Sequence, residues 1–221
     1  MQPRVIEEAA VVDRRFGPER RREEGRHTLE RRGLIRRVAD RVPQEIRRDL
    51  EGWQRALLPP EELFEHLMDR LAASLAHAFT VRRDEVAVLL LKDHGQLLRF
   101  AYPLPLYAGR TNLFPVRTSS IAGKVLLSGR GRIDNDVAQI RHLEIYERIR
   151  GTEKRALEIQ KMVTVPLLLP AGQALGVLQV SRRGRSSKEV GADFPPFDLL
   201  KLKDLSRELA PDIHRVIPAG F

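Results

Sequence analysis

The stretch Met162–Arg183, MVTVPLLLPAGQALGVLQVSRR, does most to limit what this chain can fold into. Two apolar runs, Val163–Leu169 and Leu175–Val180, flank Pro170-Ala171-Gly172-Gln173. Pro and Gly suit a tight turn, and the flanking Val and Leu suit half-buried strands. The segment therefore reads as a β-hairpin. Pro166 lacks a backbone donor and is expected at a sheet edge or a bulge. Gly176, inside an apolar run, is expected at a bulge or where another backbone approaches closely.

The rest of the chain divides at Pro59-Pro60. Residues 1–58 read as an Arg-rich, helical and partly mobile N-terminal extension. Within it, residues 1–27 mix Arg and Glu with few large apolar side chains, as a mobile arm or a solvated helix does. Leu34, Ile35, Val38 and Val42 then fall at helical spacing, with Thr28 as a candidate cap. Ile46, Leu50, Trp53 and Leu57 place a second apolar stripe on one helix face.

Residues 61–216 read as the main domain, and 217–221 as a C-terminal tail. The domain opens with a helix carrying Leu63, Phe64, Leu67, Met68, Leu71, Leu75 and Phe79, and Glu61 and Glu62 favour its N-terminal dipole. Glu85–Leu91 and Gln96–Tyr102 are strand-like around the turn Asp93-His94-Gly95. Pro103–Arg117 reads as an irregular connection. Ser119 or Ser120 can cap a short helix, Ile121–Leu127, that Gly129 stops. Arg132-Ile133-Asp134 reads as a short strand, and Ile140–Leu157 as mainly helical. A final helix begins near Pro195-Pro196, with Leu199, Leu202, Leu205, Leu209, Ile213 and Val216 as its stripe. This order lacks regular βαβ alternation, so the expected class is α+β: a central antiparallel sheet flanked by helices, with further helices at the N-terminus.

Several of these segments together resemble a GAF domain, a PAS-related regulatory fold, over residues 61–216. The first hairpin, Glu85–Tyr102, matches the family's. Ser119–Arg130 resembles its short helix of the form G-x-V-A-x-T-G-x. Ile133–Val137 resembles the apolar and acidic segment that follows, and Val163–Leu167 with Leu175–Val180 the last hairpin. Cyclic-nucleotide-binding members carry Asn-Lys and then Phe-x3-Asp-Glu. Here Phe194-Pro195-Pro196-Phe197-Asp198 keeps Phe-x3-Asp, whereas Leu199 replaces the Glu and Ser181-Arg182-Arg183 replaces Asn-Lys. The departures argue against a cyclic nucleotide. They leave the expectation of a structural clamp between Asp198 and Arg182 or Arg183.

Composition narrows the chemistry. There is no cysteine, which removes disulfides, thiolate metal sites, cysteine nucleophiles and any cysteine-linked chromophore. The cysteine chemistry by which one GAF branch reduces free methionine sulfoxide is closed to this chain. The formal charge of +9 is spread out, +4 in residues 1–60 and +5 in the rest, so it makes a weak case for nucleic acid as partner. No apolar run approaches a membrane span and the N-terminus lacks signal-peptide order, so a cytoplasmic protein without membrane attachment is expected.

Gly123-Lys124 has neither the upstream Gly nor the following Ser/Thr of a phosphate loop. Asp134 and Asp136 are spaced as at the start of a calcium loop, but Gln139 stands where Gly is required. His66 and His77 share a helix face ~16 Å apart, too far for one metal. No metal is expected, any other cofactor is left open, and no Gly-x-Ser-x-Gly or His-Glu-x-x-His motif supports catalysis.

What the resemblance implies is a non-catalytic sensory or regulatory domain of a bacterial signalling protein. It would bind a small molecule or a partner, work as a helical homodimer and act on a separate output protein. Tyr107, Arg110, Asn112, Arg117, Ser119 and Ser120, in or beside the 103–120 connection, are the candidate ligand pocket, joined by Asp134 and Asp136. The alternative for that connection is an ordinary surface loop. The alternative for the whole is a ligand-free interaction module whose Arg-rich arm docks an acidic partner or nucleic acid.

Overall fold

The computed structural model describes Gly33 and residues 40–92, 95–107, 113–140 and 157–221, without the side chains of Tyr107 and Ala138. In chain order the elements are α1 (residues 40–55), α2 (Pro60–Phe79), β1 (Val86–Lys92), β2 (Leu97–Tyr102), α3 (Leu104–Tyr107), β3 (Leu113–Pro115), α4 (Ile121–Ser128), β4 (Arg132–Asp134), β5 (Glu158–Leu168), β6 (Ala174–Gly184) and α5 (Pro196–Val216). The strands form one sheet in the order β3-β2-β1-β6-β5-β4, with every pairing antiparallel. This is the α+β architecture expected from the pattern.

The β5–β6 hairpin is longer than its apolar runs, eleven residues on each side. Gly172 turns it with φ 84°, and Leu169 N–H donates to Gln173 O at 2.9 Å. The carbonyl of Pro166 accepts from Ser206 Oγ at 2.6 Å, so this residue's backbone polar groups face away from β6. Pairing with β4 ends at Thr164, so on that flank no strand needs the N–H that Pro166 lacks. At Gly176 a Cβ would stand 2.0 Å from Leu89 O. The glycine is there for the close approach of β1 to β6.

Side chains alternate across the sheet. Val86, Val88, Leu90, Val163, Val165, Leu167, Leu178 and Val180 face α1, α2 and α5 and make the main core with Phe64, Leu67, Leu71, Leu205, Leu209 and Ile213. The opposite face carries a smaller core of Leu89, Leu98, Phe100, Phe114 and Val177 with Ala122 and Val125 of α4. Lys201 locks α5 to the end of α2: its ammonium bonds Asp198 Oδ1 at 2.9 Å and Ala78 O at 2.8 Å and lies 4.0 Å from the Phe79 ring centroid. Buried charge is tolerated here because partners surround it.

The structure corrects several expectations. Pro59-Pro60 separates two helices of one core. Ile46 and Leu50 of α1 are fully buried with α2 and α5, Arg70 bonds Asp49 at 2.6 Å, and Arg47 bonds Asp212 at 2.8 Å. The apolar stripes of α1, α2 and α5 pack together in that core, while Leu57 is exposed. Residues 217–221 also dock: Ile217 and Phe221 pack on the core, and Lys92 Nζ donates to Phe221 O at 2.6 Å. The 103–117 connection contains β3, held by the edge-on pair Phe100–Phe114 at 5.5 Å.

The arm 1–27, the Thr28 cap, Leu34, Ile35 and Val38, Asp93-His94 and residues 141–156 of the expected helix lie outside the described residues. Among the described residues no helix is long and apolar enough to cross a membrane.

Candidate functional site

The face opposite the three long helices is not uniformly apolar. Its polar part follows from register. Thr164 sits between Val163 and Val165, and Gln179 between Leu178 and Val180, so each is the odd residue of an apolar run. The hairpin pairs Thr164 with Gln179 and Met162 with Ser181. On the outer flank, β4 pairs Arg132 with Thr164 and Asp134 with Met162. On the inner flank, Ala87 of β1 pairs with Gln179. One row across the sheet therefore reads Ala87, Gln179, Thr164, Arg132. The next carries Ser181, Met162 and Asp134.

Thr164 is fully buried, and Gln179, Ser181, Met162 and Asp134 are buried. Gln179 Nε2 donates to Thr164 Oγ1 and to Met162 Sδ, both at 3.2 Å. Ser181 Oγ donates to Glu85 O at 2.9 Å. Arg132 grips both oxygens of Asp134, with Nε to Oδ2 at 2.8 Å and Nη2 to Oδ1. Ile121 at the start of α4 and Val137 of the 3-10 turn Val137–Gln139 pack on Met162 and border the row with apolar contacts. The arrangement gathers an amide, hydroxyls, a thioether and a neutralised ion pair on one face of the sheet. Such a set can orient a small polar molecule through hydrogen bonds. Among the described residues no group of three His, Cys, Asp or Glu could hold a metal ion.

Of the residues expected from the sequence, Asp134 stands in this polar surface. Ser120 caps α4: Gly123 N–H donates to its Oγ at 3.0 Å, and its hydroxyl donates to Arg117 O at 3.2 Å. Gly123 is required there, because a Cβ would stand 2.0 Å from Arg117 O. Arg117 and Ser119 are exposed in the loop before that cap. Asp136 is exposed and accepts from Gln139 Nε2 at 2.6 Å. Arg110 and Asn112, and the side chain of Tyr107, lie outside the described residues.

The expected clamp is corrected. Asp198 pairs with Lys201, one turn further along its own helix, rather than with Arg182 or Arg183. The Arg182 guanidinium instead lies over the Phe194 ring at 4.7 Å, on the helical face. Arg183 stands on the other face of β6, opposite Ile159. The entry to α5 is fastened by Asn135, which bonds the backbone of Phe194 in both directions at 2.9 and 3.1 Å. Lys161 adds contacts to Gly191 O and Asp193 Oδ1, each at 2.7 Å. Gln179, Thr164 and Arg132 went unread in the sequence, although a lone polar residue in each apolar run marks two of them.

No protein-family model and no curated protein sequence matches this chain. Solved structures do match in fold. A methyl-accepting chemotaxis protein, residues 122 to 287, aligns over 80% of this chain and 96% of its own at 15% identity, TM-score 0.55. The GAF domain of an Acinetobacter phosphoenolpyruvate-protein phosphotransferase aligns over 82% and 94% at 15% identity, TM-score 0.55. Free methionine-R-sulfoxide reductase from Neisseria meningitidis, solved with its substrate, aligns over 83% and 90% at 17% identity, TM-score 0.52. With its six-stranded antiparallel sheet between helices, the chain has a GAF-domain fold.

Proposed function

We propose that this chain is a non-catalytic sensory or regulatory module that receives a small polar molecule on the Gln179–Thr164–Met162 surface, beside Arg132–Asp134. The observation that carries the reading is the buried polar row itself. Buried hydroxyl, amide and carboxylate groups cost stability relative to well-packed apolar side chains of the same volume. Their placement on one face, beside α4, supports a role other than packing. Relatives in fold support it too, since a GAF sensor protein from Burkholderia vietnamiensis aligns over 82% of the chain at TM-score 0.52. The absence of cysteine separates the chain from thiol-based reduction. In this reading the chain works in the cytoplasm as a homodimer and passes its state to a separate output protein.

Native mass spectrometry of freshly purified protein tests the proposal. The expected result is an added small mass that dissociates on activation and is lost in the double variant Thr164→Val, Gln179→Leu. A bare polypeptide mass, with no melting shift across a panel of small metabolites, would sink it. The same spectra report oligomeric state, and a monomer at micromolar concentration removes the dimer. One observation favours a second reading, a ligand-free interaction module: Gln179, Thr164 and Met162 already bond one another. Salt-sensitive binding to an acidic protein or nucleic acid, lost on removing the arm 1–27, would support that version.

A further inference from the structure

β4 is three residues long, yet it touches both layers of the fold. Arg132 and Asp134 belong to the polar face, while Ile133 packs on the helical core. Just before the strand, Gly131 faces the Leu199 side chain of α5: a Cβ there would stand 2.9 Å from Leu199 Cδ1 and 2.9 Å from Val165 Cγ1. Just after it, Asn135 holds Phe194, two residues ahead of α5. Its Nδ2 donates to Phe194 O at 3.1 Å, and Phe194 N–H donates to its Oδ1 at 2.9 Å. Phe194 is itself buried beneath the Arg182 guanidinium. The strand thus faces a side chain of α5 at its start and is tied at its end to the residue that leads into that helix.

We propose that β4 and Asn135 are the link through which the polar face sets the position of the first turn of α5. The inference rests on the polar face being the receiving surface. An occupant that takes the Asp134 oxygens, or the Nε and Nη2 donors of Arg132, must displace part of their two-point contact, and Asp134 is covalently joined to Asn135. Gly131 faces the tip of the Leu199 side chain, so a shift of the strand toward α5 meets Leu199. A shift of β4 therefore loads the paired bonds to Phe194. Coupling of this kind is reciprocal, so loosening Phe194 also alters the polar face.

The test is residue-resolved amide exchange on the full chain, without any ligand. Arg132→Gln breaks the grip on Asp134 and leaves Asn135 and Phe194 untouched. The expected result is roughly five- to ten-fold faster exchange of the Phe194 amide and the first turn of α5, the size set by weakening about one hydrogen bond. Buried amides of α2 should keep their rates. An unchanged Phe194 rate overturns the link, and so does an equal acceleration in α2, which reports global destabilisation. If Arg132→Gln fails to fold, Arg132→Lys keeps the charge and loses the two-point contact, with the same pattern expected at smaller amplitude. The reverse arm is Asn135→Ala, expected to speed exchange in β4 and its partners Met162–Thr164, with unchanged rates there counting against the proposal. A bare mass in the spectrometer would remove the receiving surface without touching this result. A silent Phe194 amide would remove the link and leave the surface.

Discussion

Replacing Gln179 and Thr164 singly and together separates a row kept for binding from one kept for stability. Gln179→Leu takes the donor away from Thr164 Oγ1, which is fully buried and has the 3.2 Å bond from Gln179. A buried acceptor left without its donor costs about 1–3 kcal/mol. Thr164→Val leaves an amide hydrogen of Gln179 without its oxygen, at a similar cost of about 1–3 kcal/mol. Changing both replaces a polar pair by an apolar pair of nearly the same shape, which is expected to lie within about 1 kcal/mol of the original. The double-mutant cycle should therefore show a coupling of roughly 1–6 kcal/mol, the two single costs less that of the double change. Urea unfolding reads this directly: with slopes of about 1–3 kcal/mol per molar, each single change should lower the midpoint by roughly 1 M, and the double change should restore most of it. Additive losses in the double variant would refute the reasoning, because they would mean the two side chains stabilise the fold independently. Restored stability with a lost bound mass would identify binding as the reason the pair is polar.

Gly176→Ala must push β1 and β6 apart at Leu89 O, so a loss of more than about 3 kcal/mol or failure to accumulate as soluble protein is expected; an unchanged urea midpoint contradicts the packing. Ser120→Ala removes the α4 cap and should cost about 0.5–2 kcal/mol, largely recovered by Ser120→Asp, which can accept the same backbone bond. Tyr102 is buried, and burial, with Asp69 adding to it, raises its phenol above the ordinary value of 10.0. The folded state therefore holds this proton longer than the unfolded state. Its contribution is complete below pH 10.0 and is lost as pH rises through the folded value. Alkaline melting curves should fall less steeply for Tyr102→Phe than for the parent, and parallel curves would exclude the residue.

The parts of the fold that were legible are those decided locally. The β5–β6 hairpin, the β1–β2 hairpin and the α4 cap each depend on residues a few positions apart, and turn chemistry or a hydroxyl suffices to place them. Partner choice over longer distances was not legible. Asp198 had two arginines to choose from in a motif, but Lys201 stands one helical turn away, and the shorter route decided the pair. Arg182 went to an aromatic face because the alternation of β6 points it at the helical layer. The stripe of Ile46 and Leu50 was readable as apolar, yet a stripe does not state whether its cover is the same chain or another copy. The polar row was present in the sequence as two exceptions to apolar runs. Its meaning needed the register, since only the turn at Gly172 and the irregularity between Leu167 and Leu168 set Thr164 opposite Gln179. β3 was missed because three residues with a terminal proline carry almost no periodic signal.

The burial of α1 changes how the beginning of this domain can vary. A segment that merely precedes a fold is free to lengthen, shorten or change charge. A helix whose Ile46 and Leu50 fill a trough between α2 and α5 is not: each substitution there must preserve volume as well as polarity. A fragment begun at Pro60 would open that trough to water and present the apolar edges of two long helices side by side. Any redesign, fusion or truncation of this protein should therefore keep Val42, Ile46 and Leu50 inside its folding unit and not cut at the Pro59-Pro60 break.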